Sequence, residues 1–174
     1  MARTETDTHL CDESLCEAII AMFKVETVVD IGCGNGSYVR KFIEAGFDCV
    51  GYDGSPLTEE ISGGMCHIID FSEAIDIGKY DLVVSLEVGE HIPKQYEEVY
   101  LDNIIRAARR NIVLSWAIEG QPGYGHVNCR NNDYVIEEIE KRGFIFDKEG
   151  SLYLRDKSTL PWFKNTIIIF KNGT

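Results

Sequence analysis

A chain of 174 residues that is 44% hydrophobic can bury one good core, and its polar amino-terminal stretch and lack of any long apolar run argue against a signal peptide or a membrane span. With 29 acidic against 17 basic residues and a formal net charge of −12, nucleic acid is disfavoured as a partner but not excluded, because proteins that track phosphates usually carry a basic stripe. The six cysteines, Cys11, Cys16, Cys33, Cys49, Cys66 and Cys129, occur without a C-x-x-C pair, so reduced, buried thiols are expected in a soluble, cytoplasmic protein whose residues 1–174 form a single domain.

In chain order, residues 1–10 read as a flexible arm. From Asp12 to Phe23 the positions Leu15, Ile19, Ile20 and Phe23 recur at helical spacing, and Asp12 or Ser14 can cap the first turn. The next stretch, VVDIGCGNG over residues 28–36, is a β-branched run that ends in Asp30 and opens into glycines at alternate positions. It describes a buried strand, a tight turn and a helix start that presents free N–H groups to a nucleotide cofactor. Alone such a loop is a weak signal, and a glycine-rich connection without a ligand is the bland alternative. A helix from Ser37 to Ala45 and a second strand, Asp48–Asp53, complete a βαβ unit that again ends in an acid, placed to grip a ribose. The third glycine comes one residue earlier than in a dinucleotide site, and Asp30 would repel a pyrophosphate but suits the ammonium group of S-adenosylmethionine.

Ser55-Pro56 breaks the chain, Thr58–Ile61 allow one short turn, and Gly63-Gly64 mark a loop before the third strand, Cys66–Phe71. The fourth strand, Tyr80–Leu86, is too continuously apolar for an exposed edge. A longer helix is predicted from Pro93 to Arg110, with Tyr96, Val99, Tyr100, Ile104 and Ala107 on its buried stripe. Arg106, Arg109 and Arg110 fall at its end, where cations complement the helix dipole. Strand five, Asn111–Ala117, precedes a helix from Tyr134 to Arg142 that Asn132-Asp133 can cap and Gly143 ends. A sixth strand at Phe144–Asp147, a short helix at Ser151–Lys157, an aromatic turn at Leu160–Phe163 and a last strand at Thr166–Lys171 finish the chain. The fold class is α/β: a doubly wound, mostly parallel seven-stranded sheet with helices on both faces.

From about Val28 to Ala117 the sequence resembles the class I S-adenosylmethionine-dependent methyltransferases. VVDIGCGNG looks like the family's first motif, GYDGS its ribose-binding second, IIDFSEA its adenine-binding third and YDLVVSLEVGEHI the fourth strand bordering the substrate. The resemblance implies that Gly32, Gly34 and Gly36 approach the methionine part, Asp53 holds the ribose, Asp70 meets the adenine amino group and Phe71 lies near the ring. Cys33, Gly54 and Leu86, in the same motifs, complete the implied cofactor set with Asp30. Family members place the final strand antiparallel, between the fifth and sixth.

The substrate pocket must then be built from loops at the carboxyl ends of the strands. In one helical turn Glu87, Glu90 and His91 would share a face, and His126 on the next loop can add a ligand, which makes a plausible site for Mg²⁺ or Mn²⁺. The E-x-x-E-H pattern resembles that of ubiquinone-biosynthesis O-methyltransferases and of small-RNA 2′-O-methyltransferases. Against this, a Glu-His pair can also act as a helix cap and substrate contact without metal, and Pro93 restricts the turn in front of it. Without metal, His91 or His126 is the candidate base. His67 is expected to be structural and His9 solvated or a lid contact. Trp116 can line the pocket, whereas Trp162 is expected to pack.

The leading expectation is an O-methyltransferase acting on a small molecule or terminal hydroxyl. The alternatives are a non-catalytic cofactor-binding subunit supporting a partner and a nicotinamide-dependent oxidoreductase. A homodimer is possible.

Overall fold

Alternation along the strands sends successive side chains to opposite faces, and each face of this sheet has its own apolar layer. The structure, a computed structural model, describes residues 10–173; the amino-terminal arm, except Leu10, and His9 lie outside the described residues. The strands are β1 (Thr27–Ile31), β2 (Asp48–Asp53), β3 (Cys66–Ile68), β4 (Tyr80–Leu86), β5 (Ala108–Ser115), β6 (Phe144–Phe146) and β7 (Ile168–Asn172). They form one sheet in the order β3-β2-β1-β4-β5-β7-β6. β7 runs antiparallel to both β5 and β6, as expected, and the other pairings are parallel. The helices are α1 (Glu13–Met22), α2 (Ser37–Glu44), α3 (Thr58–Ile61), α4 (Glu97–Ala107), α5 (Asn132–Glu140), α6 (Lys148–Lys157) and α7 (Phe163–Thr166).

On one face Val29, Ile31, Val83, Ile112 and Leu114 pack under Tyr100 and Ile104 of α4 and Ile139 of α5. On the other, Val28, Leu82, Val84 and Val113 pack under Leu15 and Ile19 of α1, Phe42 of α2 and Leu154 of α6. Burying side chains of this size contributes roughly 1.5–3 kcal/mol each, which fixes the register of every central strand. No helix among the described residues is long and apolar enough to cross a membrane. All six cysteines are free thiols.

Several boundaries differ from the sequence reading. The long helix from Pro93 splits into a 3-10 turn at Lys94–Tyr96 and α4, and it stops at Ala107 because β5 begins three residues early at Ala108. Arg109 and Arg110 therefore sit on a strand and do not serve the helix dipole. Both pair with Asp81, Arg109 at 2.9 Å and Arg110 at 3.6 Å. Asp81 also accepts from the backbone N–H groups of Glu26 and Thr27, so it ties β4, β1 and β5 at one end of the sheet. β3 is only three residues long, which leaves Asp70 and Phe71 in the following loop. Asp12 caps α1 through the Leu15 N–H as read, whereas α5 starts at Asn132 with no side-chain cap. Thr166 lies in α7, so the last strand starts two residues late.

Candidate active site

The carboxyl ends of β1, β2, β4 and β5 open into a cleft of about 1650 Å³. That exceeds the roughly 300–1,000 Å³ of a single small-molecule pocket and leaves room for two ligands side by side. One half is the glycine loop. Gly32 and Gly36 have φ of +81° and +76°, a region that a Cβ makes costly. A Cβ at Gly32 would overlap the Val88 side chain, and one at Gly36 would lie 2.9 Å from Cys66 Sγ, so neither position has room for a side chain.

The loop is stitched to the end of β2. Gly32 and Cys33 donate their N–H groups to the Tyr52 carbonyl at 2.7 and 3.1 Å. The Asp53 carboxylate accepts from Gly34 N–H on one oxygen and Ser55 N–H on the other, each at 2.8 Å. Asp53 thus also has a structural job, latching the glycine turn to the turn that follows its own strand. Asp30, 4% exposed, lines the same half of the cleft. Burial first, then the neighbouring Cys66 and Asp53, hold its carboxyl well above the ordinary carboxylate range. A group so placed favours a cationic neighbour. Gly54, Asp70, Phe71 and Leu86 also line the cleft.

The other half is assembled around Glu87, Glu90, His91 and His126. Glu87 has φ of +55°, alone among described non-glycine residues, and its N–H is held by Ser115 Oγ at 2.8 Å. Strain of this kind persists only where the surroundings impose it and clusters at functional sites. The expected helical turn of Glu87, Glu90 and His91 is not formed, because the 3-10 turn begins only at Gly89. Glu87 instead accepts from Gln121 Nε2 at 2.7 Å and from Thr166 Oγ1 at 3.4 Å. The donors that do converge belong to Glu90, His91 and His126, all within 4.8 Å of one another.

Glu90 is fully buried, and neither of its carboxylate oxygens has a hydrogen-bond partner among the described residues. Burial and then the charge of Glu87, partly offset by the backbone dipoles of Glu90 and Ala117, push its carboxyl up to about 8. His126 Nε2 faces Glu90 Oε1 at 3.9 Å. Each histidine sets its Nδ1 3.2 Å from a backbone carbonyl, His126 against Gln121 and His91 against Gly125. A carbonyl only accepts, so these contacts put the proton on Nδ1 and leave Nε2 as the nitrogen with a lone pair. Such an arrangement can take a proton or bind a divalent ion.

Of the two places open to Trp116, pocket wall or core, it takes the core, and Trp162 packs as expected while also bordering the cleft. Trp116 is buried against Gly89, where a Cβ would overlap the indole, and its Nε1 donates to the Asn128 carbonyl at 2.7 Å. Trp162 lines the cleft. His67 is on the exposed edge strand, 3.8 Å from Glu59.

Residues 8–115 match the family described as "Methyltransferase domain". The chain belongs to that family. Over 141 residues, 72% of this chain, the methyltransferase domain is 31% identical to a chloroplastic tocopherol O-methyltransferase of Arabidopsis thaliana. The chain spans only about a third of the curated relatives it matches, 37% of the Arabidopsis protein and 34% of a rice counterpart. Among solved structures it is similar to a magnesium protoporphyrin IX methyltransferase from Synechocystis with bound S-adenosylhomocysteine, with a TM-score of 0.67, 18% identity and 92% and 81% of the two chains covered. It is also similar to a sugar N-methyltransferase from Streptoalloteichus, with a TM-score of 0.73, 11% identity and 97% and 90% covered. At these identities the structural likeness speaks for the class I methyltransferase fold.

Two anchoring roles around the cleft, those of Asp12 and Glu97, carry no motif and escaped the sequence. Asp12 accepts from Ser158 Oγ at 2.6 Å and from the N–H groups of Thr159 and Leu160 at 2.7 and 2.9 Å, so the α1 cap also fixes the segment leading to Trp162. Glu97, nearly buried, accepts from Asn128 Nδ2 and Arg130 Nε at 2.7 Å each and from the Tyr134 hydroxyl. That network, with the Glu90 carbonyl accepting from Val127 and Asn128 N–H groups, docks the loop that carries His126. An acid followed some thirty residues later by Asn and Arg is too common to be read as a signal.

Proposed function

We propose that residues 1–174 form one domain that binds S-adenosylmethionine in the glycine-rich half of the cleft and transfers its methyl group to a hydroxyl oxygen of a small molecule held in the other half. The observation that carries the reading is the pairing, in one continuous cleft, of that family's glycine turn with a buried, unpartnered carboxylate flanked by two oriented histidines. On this reading Asp30 faces the cofactor ammonium, Asp53 holds the ribose from a carboxylate already fixed by Gly34 and Ser55, Asp70 and Phe71 meet the adenine, and Cys33, Gly54 and Leu86 line the cofactor's path.

The bound cofactor supplies an electrophilic methyl group on sulfur. The protein's own task is alignment and proton removal: the acceptor oxygen must lie in line with the carbon–sulfur bond, and its proton must leave as the new carbon–oxygen bond forms. His126 Nε2 or His91 Nε2 takes that proton, each ring held by its Nδ1 contact. The donor set of Glu90, His91 and His126 also fits Mg²⁺ or Mn²⁺: the orphaned carboxylate lacks a partner that a cation would provide, and such an ion would lower the pKa of a hydroxyl bound to it. Glu87, held by Gln121 and Thr166, then acts beside this set by charge and position. The test is calorimetric titration of Mn²⁺ into protein saturated with S-adenosylhomocysteine, in the native chain and in Glu90→Ala. Binding near one equivalent, lost in the variant, supports the metal-assisted reading. No binding, together with full activity in chelator, leaves the histidines as the proton acceptors.

A further inference from the structure

We infer that the acceptor is uncharged or cationic, with a flat apolar body, and that an anionic group on it bars its entry. This rests on the methyl-transfer reading and narrows its substrate class. Among the described residues, six carboxylates line the cleft, those of Asp30, Asp53, Asp70, Glu87, Glu90 and Glu119, and no lysine or arginine does. The first three belong to the cofactor half, where the ammonium, the ribose hydroxyls and the adenine amino group of the donor answer them on the reading above. The last three surround the acceptor.

The imbalance is local and does not simply follow the net charge. At the opposite ends of the strands a smaller depression of about 460 Å³ is lined by Lys24, Arg110 and Lys171 beside Asp147 and Glu149, so basic residues do line a depression elsewhere on the molecule. Arg130, which follows the acceptor loop, turns its guanidinium onto Glu97 at 2.7 Å and over the Tyr134 ring at 4.4 Å. A carboxylate, sulfate or phosphate on the acceptor would therefore give up its hydration and meet the carboxylates of Glu87 and Glu119 with no lysine or arginine among the described cleft residues to answer it, and walls of low polarity strengthen that repulsion. Those walls are Ile118, Pro122, Pro161 and Trp162, with Tyr124 fully exposed at the rim. Flat, apolar matter fits them.

Three catechols of one shape separate charge from size: 4-ethylcatechol (neutral), dopamine (cationic) and 3,4-dihydroxyphenylacetate (anionic). Each is titrated by calorimetry into protein saturated with S-adenosylhomocysteine, in chelator so that no divalent ion enters the acceptor half, and at low ionic strength, where charge effects are least screened. The expected order has the anion bound at least about tenfold more weakly than the other two, and Glu119→Gln, which keeps the side-chain shape, narrows that gap. Anion binding as tight as that of the neutral probe overturns the inference, and so does failure of all three to bind at millimolar concentration. A methylation assay with the same probes tests the reading beneath it: the expected binding order with no transfer from S-adenosylmethionine keeps the charge inference and removes the hydroxyl-transfer function.

Discussion

The two halves of the cleft are built by different means. The glycine-rich half comes from one stretch, the β1–α2–β2 unit and the loop after β3, and is tied by bonds across that unit, such as Gly34 N–H to Asp53 and Gly32 N–H to the Tyr52 carbonyl. The acceptor half draws on the end of β4, the loop after β5 and the segment around Trp162, far apart in the chain. It holds the strained Glu87 and the unsatisfied Glu90, whereas the cofactor half leaves its positive-φ positions to glycine. A binding platform can thus be locally self-consistent while the chemistry beside it is held in place by the rest of the fold.

Substitutions that act on one half alone test this division. Glu90→Ala is expected to lower kcat by about 10²–10⁴-fold, the range for loss of a positioned acid–base or charge-stabilising group, with the Kd for S-adenosylhomocysteine changed less than about twofold. A parallel loss of cofactor affinity would mean that the halves are not separable. Asp53→Ala should do the reverse: it removes the latch on Gly34 and Ser55 and should weaken cofactor binding by roughly 30-fold, about 2 kcal/mol in charge-assisted hydrogen bonds, as read by calorimetry.

Stability sharpens the contrast. With its carboxyl raised to about 8, Glu90 takes up a proton on folding between its ordinary value of 4.5 and pH 8, so folding weakens as pH rises through that window. Glu90→Gln, which cannot ionise, should stabilise the metal-free protein by about 1–3 kcal/mol at pH 8 and less at pH 5, measured by urea unfolding. A destabilised variant at both pH values would show that the carboxyl is satisfied after all.

Glu97 works in the opposite sense. Although burial raises its pKa, hydrogen bonds from Arg130, Tyr134 and Asn128 prevail and hold the carboxyl below its ordinary 4.5. Its contribution is present above the unfolded value and is lost as pH falls through the folded one. Glu97→Gln should therefore cost about 1–2 kcal/mol near pH 7 and flatten the loss of stability below pH 4.5. It should also lower kcat more than it changes cofactor affinity, because it loosens the His126 loop.

The cofactor half was legible because its signals are local. Alternating glycines after a β-branched run, and an acid ending each of two strands, occupy neighbouring positions and depend on backbone geometry alone. The place of the antiparallel last strand, between the fifth and sixth, followed from the resemblance that those residues carry. Glu90, His91 and His126 were also visible as residue types, but their convergence was read through a helical turn that does not form. The positive φ of Glu87 takes it out of that face, and the side chain is drawn to Gln121 and Thr166.

The sequence by itself determined the layered α/β fold, the methyltransferase motifs and the glycine-rich turn at the mouth of the cleft, since propensity, period and turn chemistry act over a few residues. Only the tertiary structure decided that Trp116 joins the core, that Arg109 and Arg110 serve Asp81, and that Asp12 and Glu97 anchor the segments carrying Trp162 and His126. Those partners lie from about 30 to nearly 150 residues apart, and contacts at such separations are set by how the helices and loops close over the sheet.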